Sequence, residues 1–350
     1  MQFEELVRWA SQYNARMSVR YLIIGGLRED YCITHDGQAR SGVLGGNAVY
    51  AATGAALWSE SVGILGRVGS NFPLSWLEQI AASGLDTSGV TVLPNPEDTR
   101  TFYAYRSLEE RVDTNPNLHY QRAGLPIPKA LTDYVSSTEG QRSKDRFGPL
   151  AFRPKDLPDT VEAAAAALLA PGDYLTHSIV PARLRELGVG MVVVDPSARY
   201  MEPEFRKELP DLLNGLAAFL PSEMEATSYF QPRPPDLWEM AEIFSELGCP
   251  IVGIKRGGAG VFLWDQLNRR RIHIPAYPSR VVDVTGAGDA FCGGFLVGLS
   301  ETGDVLEAGL RGSVSASLAI EGAGALYAMG AAPGLPQARL EALRSMVRLI

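Results

Sequence analysis

Cysteine and histidine are scarce in this chain. Three cysteines (Cys32, Cys249, Cys292) lie far apart, and four histidines (His35, His119, His177, His273) include no His-x-x-x-His pair. Neither set has zinc-ligand spacing, and an odd, scattered trio of thiols suits a reducing compartment better than a disulfide framework. Basic charge is also short. There are 32 Lys and Arg against 40 Asp and Glu, a net charge of −8, and no basic domain is visible. That argues against nucleic acid as the main partner. Any anionic ligand must then be held by local donors rather than by a global positive field. No apolar run reaches the roughly 18 residues of a membrane span. The N-terminus carries Glu4 and Glu5 and lacks the apolar core of a leader peptide. A soluble, cytoplasmic protein is expected. Two nucleotide signatures are missing as well. No Gly-x-x-x-x-Gly-Lys-Ser/Thr occurs, which leaves a P-loop protein unsupported. The turn Gly25-Gly26-Leu27-Arg28-Glu29-Asp30 is not Gly-x-Gly-x-x-Gly, which disfavours a dinucleotide oxidoreductase.

What is present is an alternation of short apolar runs and helical periodicity. Residues 1–18 read as a polar amphipathic helix outside the main fold. Strands are expected at 21–25, 61–66, 174–176, 190–194, 217–220 and 251–254, with helices at 47–58, 74–83, 223–230, 236–247, 306–320 and 338–347. A hairpin is expected around Asp36-Gly37, and another joins 261–264 to 272–274. Two β-rich runs, 90–93 and 99–105, could pair with the early hairpin as a small separate sheet. From 109 to 159 the chain is polar, Pro-rich and poorly periodic, which predicts a long, partly mobile insertion. Alternating strand and helix predicts an α/β fold: a three-layer, doubly wound, mostly parallel sheet.

The most informative stretch is Asp283-Val284-Thr285-Gly286-Ala287-Gly288-Asp289-Ala290-Phe291. A β-branched run from 280 to 284, read as a strand, enters three small residues, and a helix follows from 290 to 299. Small residues at a helix start let backbone N–H groups crowd around an anion, assisted by the helix dipole. Asp289 places a carboxylate beside that anion hole, an arrangement suited to phosphoryl transfer to an alcohol. Asp before a helix is also a common N-cap; a capping Asp can still act as a base.

This stretch resembles the Asp-x-x-Gly-Ala-Gly-Asp signature of the PfkB-type (ribokinase-like) carbohydrate kinase family, with both aspartates in register. Supporting matches run from about 21 to 323. The resemblance implies a ribokinase-like domain over 19–345, with a small β-sheet lid from about 30–43 and 90–106. It implies an ATP-dependent, Mg²⁺-requiring kinase acting on a hydroxyl of a sugar, sugar acid or nucleoside, with Asp289 as base and the amides of Gly286, Ala287 and Gly288 as anion hole. A non-catalytic nucleotide- or sugar-binding member of the same fold is the alternative. An exposed lid edge would also offer a route to a homodimer.

The resemblance extends to other positions. Asp30, just beyond the first strand, matches the residue that binds substrate hydroxyls. Gly45-Gly46 matches a glycine pair that lets substrate approach the backbone. The family's Asn four places after that pair is Tyr50 here, so either Asn47 is the polar contact or Tyr50 shapes a more apolar pocket. Gly66-Arg67-Val68-Gly69-Ser70-Asn71 resembles a family turn and marks the fold. Arg100 falls on a lid strand where substrate-side residues occur. Glu225 matches the residue that organises water around Mg²⁺, while Ser222 replaces an Asn and also forms a capping-box pattern with Glu225. Lys255-Arg256-Gly257-Gly258-Ala259-Gly260 resembles the nucleotide loop, with Gly257 and Gly260 at the nucleotide and either cation facing the phosphates. The same resemblance links Asp283 and Thr285 to a monovalent cation such as K⁺.

Overall fold

The computed structural model describes residues 19–349; the helix read over 1–18 lies outside the described residues. Strand β1 (Tyr21–Ile24) shows how the layers are set. Tyr21 and Ile23 enter one hydrophobic core, and Leu22 and Ile24 enter the other. A strand covered on both faces has to be apolar at every position. Strands β2 (Arg28–Ile33) and β3 (Ala39–Gly45) then form an antiparallel hairpin. Helix α1 (Asn47–Ala56) leads to β4 (Val62–Val68), α2 (Leu74–Ala82) and β5 (Asp86–Val92). Strands β6 (Arg100–Tyr105) and β7 (Arg111–Val112) return to the hairpin, and helix α3 (Pro116–Arg122) follows.

The second half winds outward from β1. Strand β8 (Ala166–Leu169) pairs parallel with β1, and helix α4 (Tyr174–Glu186) crosses to β9 (Met191–Val194). Helix α5 (Leu209–Leu213), β10 (Ala218–Phe219), α6 (Glu223–Tyr229), α7 (Leu237–Glu246) and β11 (Ile251–Lys255) follow. Strands β12 (Val261–Asp265) and β13 (Arg270–Ile274) close that side. Helices α8 (Ala287–Thr302), α9 (Val305–Ala319) and α10 (Leu335–Arg344) and strand β14 (Arg348–Leu349) end the described chain. The main sheet has ten strands in the order β14-β13-β12-β11-β10-β9-β8-β1-β4-β5, and a second sheet has four, β3-β2-β6-β7. Every neighbour pair from β11 to β5 is parallel. This is the doubly wound, ribokinase-like architecture with a lid. No described helix is long and apolar enough to cross a membrane.

Helix α8 is seated by small residues. A Cβ at Gly293 would lie 1.9 Å from Ala51 O, and one at Gly54 would lie 2.2 Å from Ala290 O. The run of Ala and Gly in α1 therefore lets two helices touch backbone to backbone, and this contact fixes where α8 begins.

The small sheet has two unlike faces. Tyr31, Ile33, Phe102 and Ala104 point outward and pack with Tyr120, Leu131 and neighbours into a third core. Those covering residues come from the 109–159 segment. Poor periodicity had suggested a long loose insertion. Instead the segment begins as lid strand β7, carries α3, and folds over the lid's outer face.

Other expectations need correction. Residues 174–176 open helix α4, and the strand is the preceding Ala166–Leu169. Its alanine-rich sequence has no strand propensity, but burial between β1 and β9 overrides propensity. Residues 90–92 belong to β5 on the main sheet, parallel to β4, and not to the lid. Residues 280–284 form no strand. The amides of Val282 and Asp283 both donate to Ile320 O, at 2.8 and 3.2 Å, beyond the end of α9.

Candidate active site

One cleft of about 980 Å³ runs between the lid and the carboxyl ends of the parallel strands, lined among others by Arg111, Asp195, Glu225, Lys255, Gly288 and Asp289. Open α/β sheets collect ligands at this end of the strands.

The signature run forms the cleft floor. Gly286 is the N-cap of the 16-residue helix α8, with φ 76, and no side chain caps the helix. Asp289 is thus the third helical residue rather than the cap. The Ala287 amide donates to Val284 O at 3.2 Å. Among the described residues, the amides of Gly286, Gly288 and Asp289 have no partner, so the helix start presents unsatisfied donors to the cleft. Only glycine fits at 286: a Cβ there would lie 2.0 Å from the Tyr50 ring. Tyr50 is buried and supports the loop from below.

The charges around Asp289 are mixed. Its half-buried carboxyl is pushed up to about 7 by burial and by Asp195, opposed by Lys255 and Arg111. Lys255 Nζ donates to Asp195 Oδ2 at 2.6 Å and to Cys292 Sγ at 3.4 Å. A Cβ on Gly288 would be 3.6 Å from that ammonium, so Lys255 lies against the amide cradle. Arg256 also lines the cleft, bonding Glu223 at 3.1 Å and stacking over Phe262. Asp195 and Arg111 were not singled out from the sequence. Asp195 follows a predicted strand end, where a lone carboxylate is an available signal. Arg111 falls in the segment read as an insertion and carries no such signal.

Ser222 and Glu225 form a full capping box on α6: Ser222 N and Oγ both donate to Glu225 Oε2, at 2.8 and 2.7 Å. Burial and Asp195 raise the Glu225 pKa. Asp195 Oδ1 is buried and unpaired. Among the described residues no three His, Cys, Asp or Glu side chains converge to enclose a metal ion. A divalent ion shared between phosphates, water and one or two carboxylates suits this set. In the nucleotide loop, Gly260 is needed by the turn, since a Cβ there would lie 2.1 Å from Ile274 O. Gly257, with φ 51, faces the lid tip near Glu109.

The lid's inner face lies opposite. Asp30 is buried, accepts from Thr101 Oγ1 at 2.5 Å and from the Gly46 amide, and is pushed up to about 6 by burial. Gly45 must be glycine because a Cβ would lie 1.8 Å from Asp30 Oδ2. Tyr103, two places beyond Thr101 on β6, is within electrostatic reach of both Asp30 and Asp289. Asn47 is engaged internally: Oδ1 accepts from Gly26 N at 2.8 Å and Nδ2 donates to Pro171 O at 2.5 Å. It ties the loop after β1 to the loop after β8. Arg100 folds back on Asp98 at 2.6 Å and on Ala130 O, away from the cleft.

Asp283 is engaged within the chain. Its Oδ2 pairs with Arg40 of β3 at 3.0 Å, and its Oδ1 accepts from Thr285 N at 2.9 Å. Thr285 Oγ1 meets Tyr105 OH at 3.1 Å. These residues latch the lid to the signature loop.

Known proteins resemble this chain in sequence and in fold. A family model described as pfkB family carbohydrate kinase matches residues 159–330. The cytidine kinase of Thermococcus kodakarensis is 28% identical over 281 residues, 80% of this chain and 88% of that protein. The ribokinase of Arabidopsis thaliana, solved with ribose and ATP, aligns at a TM-score of 0.64 and 20% identity over 93% of this chain and 99% of that one. The nucleoside kinase of Burkholderia thailandensis, solved with ADP and inosine, aligns at a TM-score of 0.64 and 18% identity over 93% and 96%. The two structures share the fold, and with the matched family model and the cytidine kinase relative they support a PfkB-type carbohydrate kinase.

Proposed function

We propose that this kinase moves the γ-phosphoryl group of ATP to a hydroxyl of a sugar, sugar acid or nucleoside, with Asp289 as the proton acceptor. The observation that carries the reading is the half-buried Asp289 carboxylate, raised to about 7, beside unpaired amides at the start of a long helix. An acceptor hydroxyl held between Asp30 and Asp289 would lie on the open side of that cradle. Its proton passes to Asp289 late, as charge leaves the loose phosphoryl group. A carboxylate raised to about 7 suits this better than an ordinary one, since a base near the working pH is the most effective.

The amides of Gly286, Gly288 and Asp289 face the transferred oxygens; one such donor contributes roughly 3 to 4 kcal/mol to lowering a barrier. Lys255 and Arg111 balance phosphate charge from either side. Mg²⁺, when bound, supplies charge neutralisation along the phosphate tail; Glu225 and the unpaired Asp195 Oδ1 are the protein groups that would orient it. The lid excludes water, which is a competing acceptor.

The name of the cytidine kinase relative supports a nucleoside, and that of the ribokinase neighbour a free sugar. The test is ATP consumption over a panel of sugars, sugar acids and nucleosides, with the wild type and Asp289→Asn. Turnover should fall about 10²- to 10⁴-fold in the variant, while calorimetric ATP affinity stays within about threefold. Wild-type turnover in Asp289→Asn removes the base assignment. No turnover by the wild type with any acceptor favours a non-catalytic member of the family.

A further inference from the structure

One donor beside Asp30 on the lid has no role in the chemistry above. Arg28 opens β2, two residues before Asp30, so both side chains project from the same face of the lid. Its Nη1 is buried and has no hydrogen-bond partner. Its Nε lies 2.9 Å from where a Cβ on Gly26 would be, so the side chain lies along the loop after β1. That loop is tied through Asn47 to Pro171, which lines the cleft, and Asp173 is two residues further on. Burial pulls the Arg28 pKa below its usual value, opposed by Tyr103, Asp173 and Asp30. A buried guanidinium nitrogen without an acceptor is costly in a native protein and calls for an explanation.

Charge decides between ligand classes. Arg28 already faces two carboxylates, Asp30 and Asp173. Asp173 is 7% exposed, and one of its oxygens accepts from Gly148 N at 3.1 Å. An acceptor bearing its own carboxylate would bring a third negative charge to one cation. A neutral carbonyl satisfies Nη1 without that repulsion, and an exocyclic amine beside it could donate to the remaining Asp173 oxygen.

We propose that Arg28 sets acceptor specificity by donating to a carbonyl on the base of a nucleoside, with Asp30 holding the ribose. The proposal rests on the kinase reading and deepens it to one acceptor class. In this role Arg28 selects against free sugars, which leave Nη1 unpaired, and against sugar acids, which crowd carboxylates.

The experiment combines initial rates with binding. Wild type, Arg28→Met and Arg28→Lys, each checked for cooperative thermal unfolding, are assayed with cytidine, uridine, ribose, fructose and gluconate. Calorimetry then measures cytidine and uridine binding without turnover. At least one of the two nucleosides should exceed ribose and gluconate in kcat/KM in the wild type. Arg28→Met should lower that ratio about 10- to 100-fold, mostly through KM. Arg28→Lys, which keeps the charge but not the planar fork, should recover only part of it. An unchanged ratio in Arg28→Met, or a wild-type preference for gluconate, overturns the proposal. Should the wild type turn over no acceptor, the kinase reading fails, and binding decides the role of Arg28 alone. Nucleoside binding lost in Arg28→Met supports the role; equal binding, or none by the wild type, overturns it.

Discussion

The two halves of the cleft are built on different plans. In the proposed reading the phosphate half centres on a contiguous run, 283–289, whose working groups are backbone amides at the start of one helix. The proposed acceptor half draws on four separate segments: Arg28 and Asp30, Gly45-Gly46, Thr101 and Tyr103, and the 171–173 loop. Backbone recognition depends on local conformation, and only a few small residues permit that conformation. Side-chain recognition depends on which strands the lid brings together. A family can therefore keep the first half while varying the second.

The largest effect should come from damage to the phosphate half. Gly286→Ala forces a Cβ into the Tyr50 ring at φ 76, and the left-handed backbone alone costs about 1–2 kcal/mol. The expected loss in kcat is about 10²- to 10³-fold, of the same size for every acceptor. A loss confined to one acceptor would mean that the two halves are not separable. Asp30→Ala should do the reverse, raising acceptor KM about 10- to 150-fold, the value of a hydrogen bond to a charged group, with ATP binding little changed. Parallel loss of ATP affinity would blur the division.

pH should resolve the two carboxylates. Both are raised, to about 6 for Asp30 and about 7 for Asp289, so each is ionised only above those values. Lowering pH protonates first Asp289 and then Asp30. Acceptor kcat/KM should fall about tenfold per unit below pH 7 and more steeply below 6. In Asp289→Asn the limb near 7 should vanish from the residual rate while the lower one stays. A limb that persists near 7 assigns it elsewhere.

The smallest effect concerns the seam. Asn47→Ala removes bonds to Gly26 N and Pro171 O, which should cost about 1–3 kcal/mol of stability, read as a lower Tm. Because it loosens the loops carrying Arg28 and Asp173, acceptor KM should move more than ATP affinity. A change in neither would make Asn47 a bystander.

Legibility followed the same division. The Gly-Ala-Gly-Asp run was readable because helix start, anion hole and carboxylate are adjacent in sequence. Its details were not: Asp289 reads as a cap until Gly286 is seen in the left-handed region. Tyr50 reads as a substrate contact, but its neighbour is Gly286, 236 positions away along the chain. The alanine-rich β8 carries no strand signal because propensity is a local quantity and burial is not. Arg111 was hidden because the 109–159 segment has no period, although its first residues complete the lid.

By itself the sequence determined the three-layer class, through the alternation of apolar strands and amphipathic helices, and it marked the 283–289 run, whose glycines and aspartates are adjacent in the chain. The tertiary structure alone decided which carboxylates face Lys255, that Arg40 occupies Asp283, and that Arg28 ends with a buried, unpaired nitrogen. Those outcomes depend on distances between segments far apart in the chain. Such distances are fixed by how sheets and helices pack, and no window of sequence contains them.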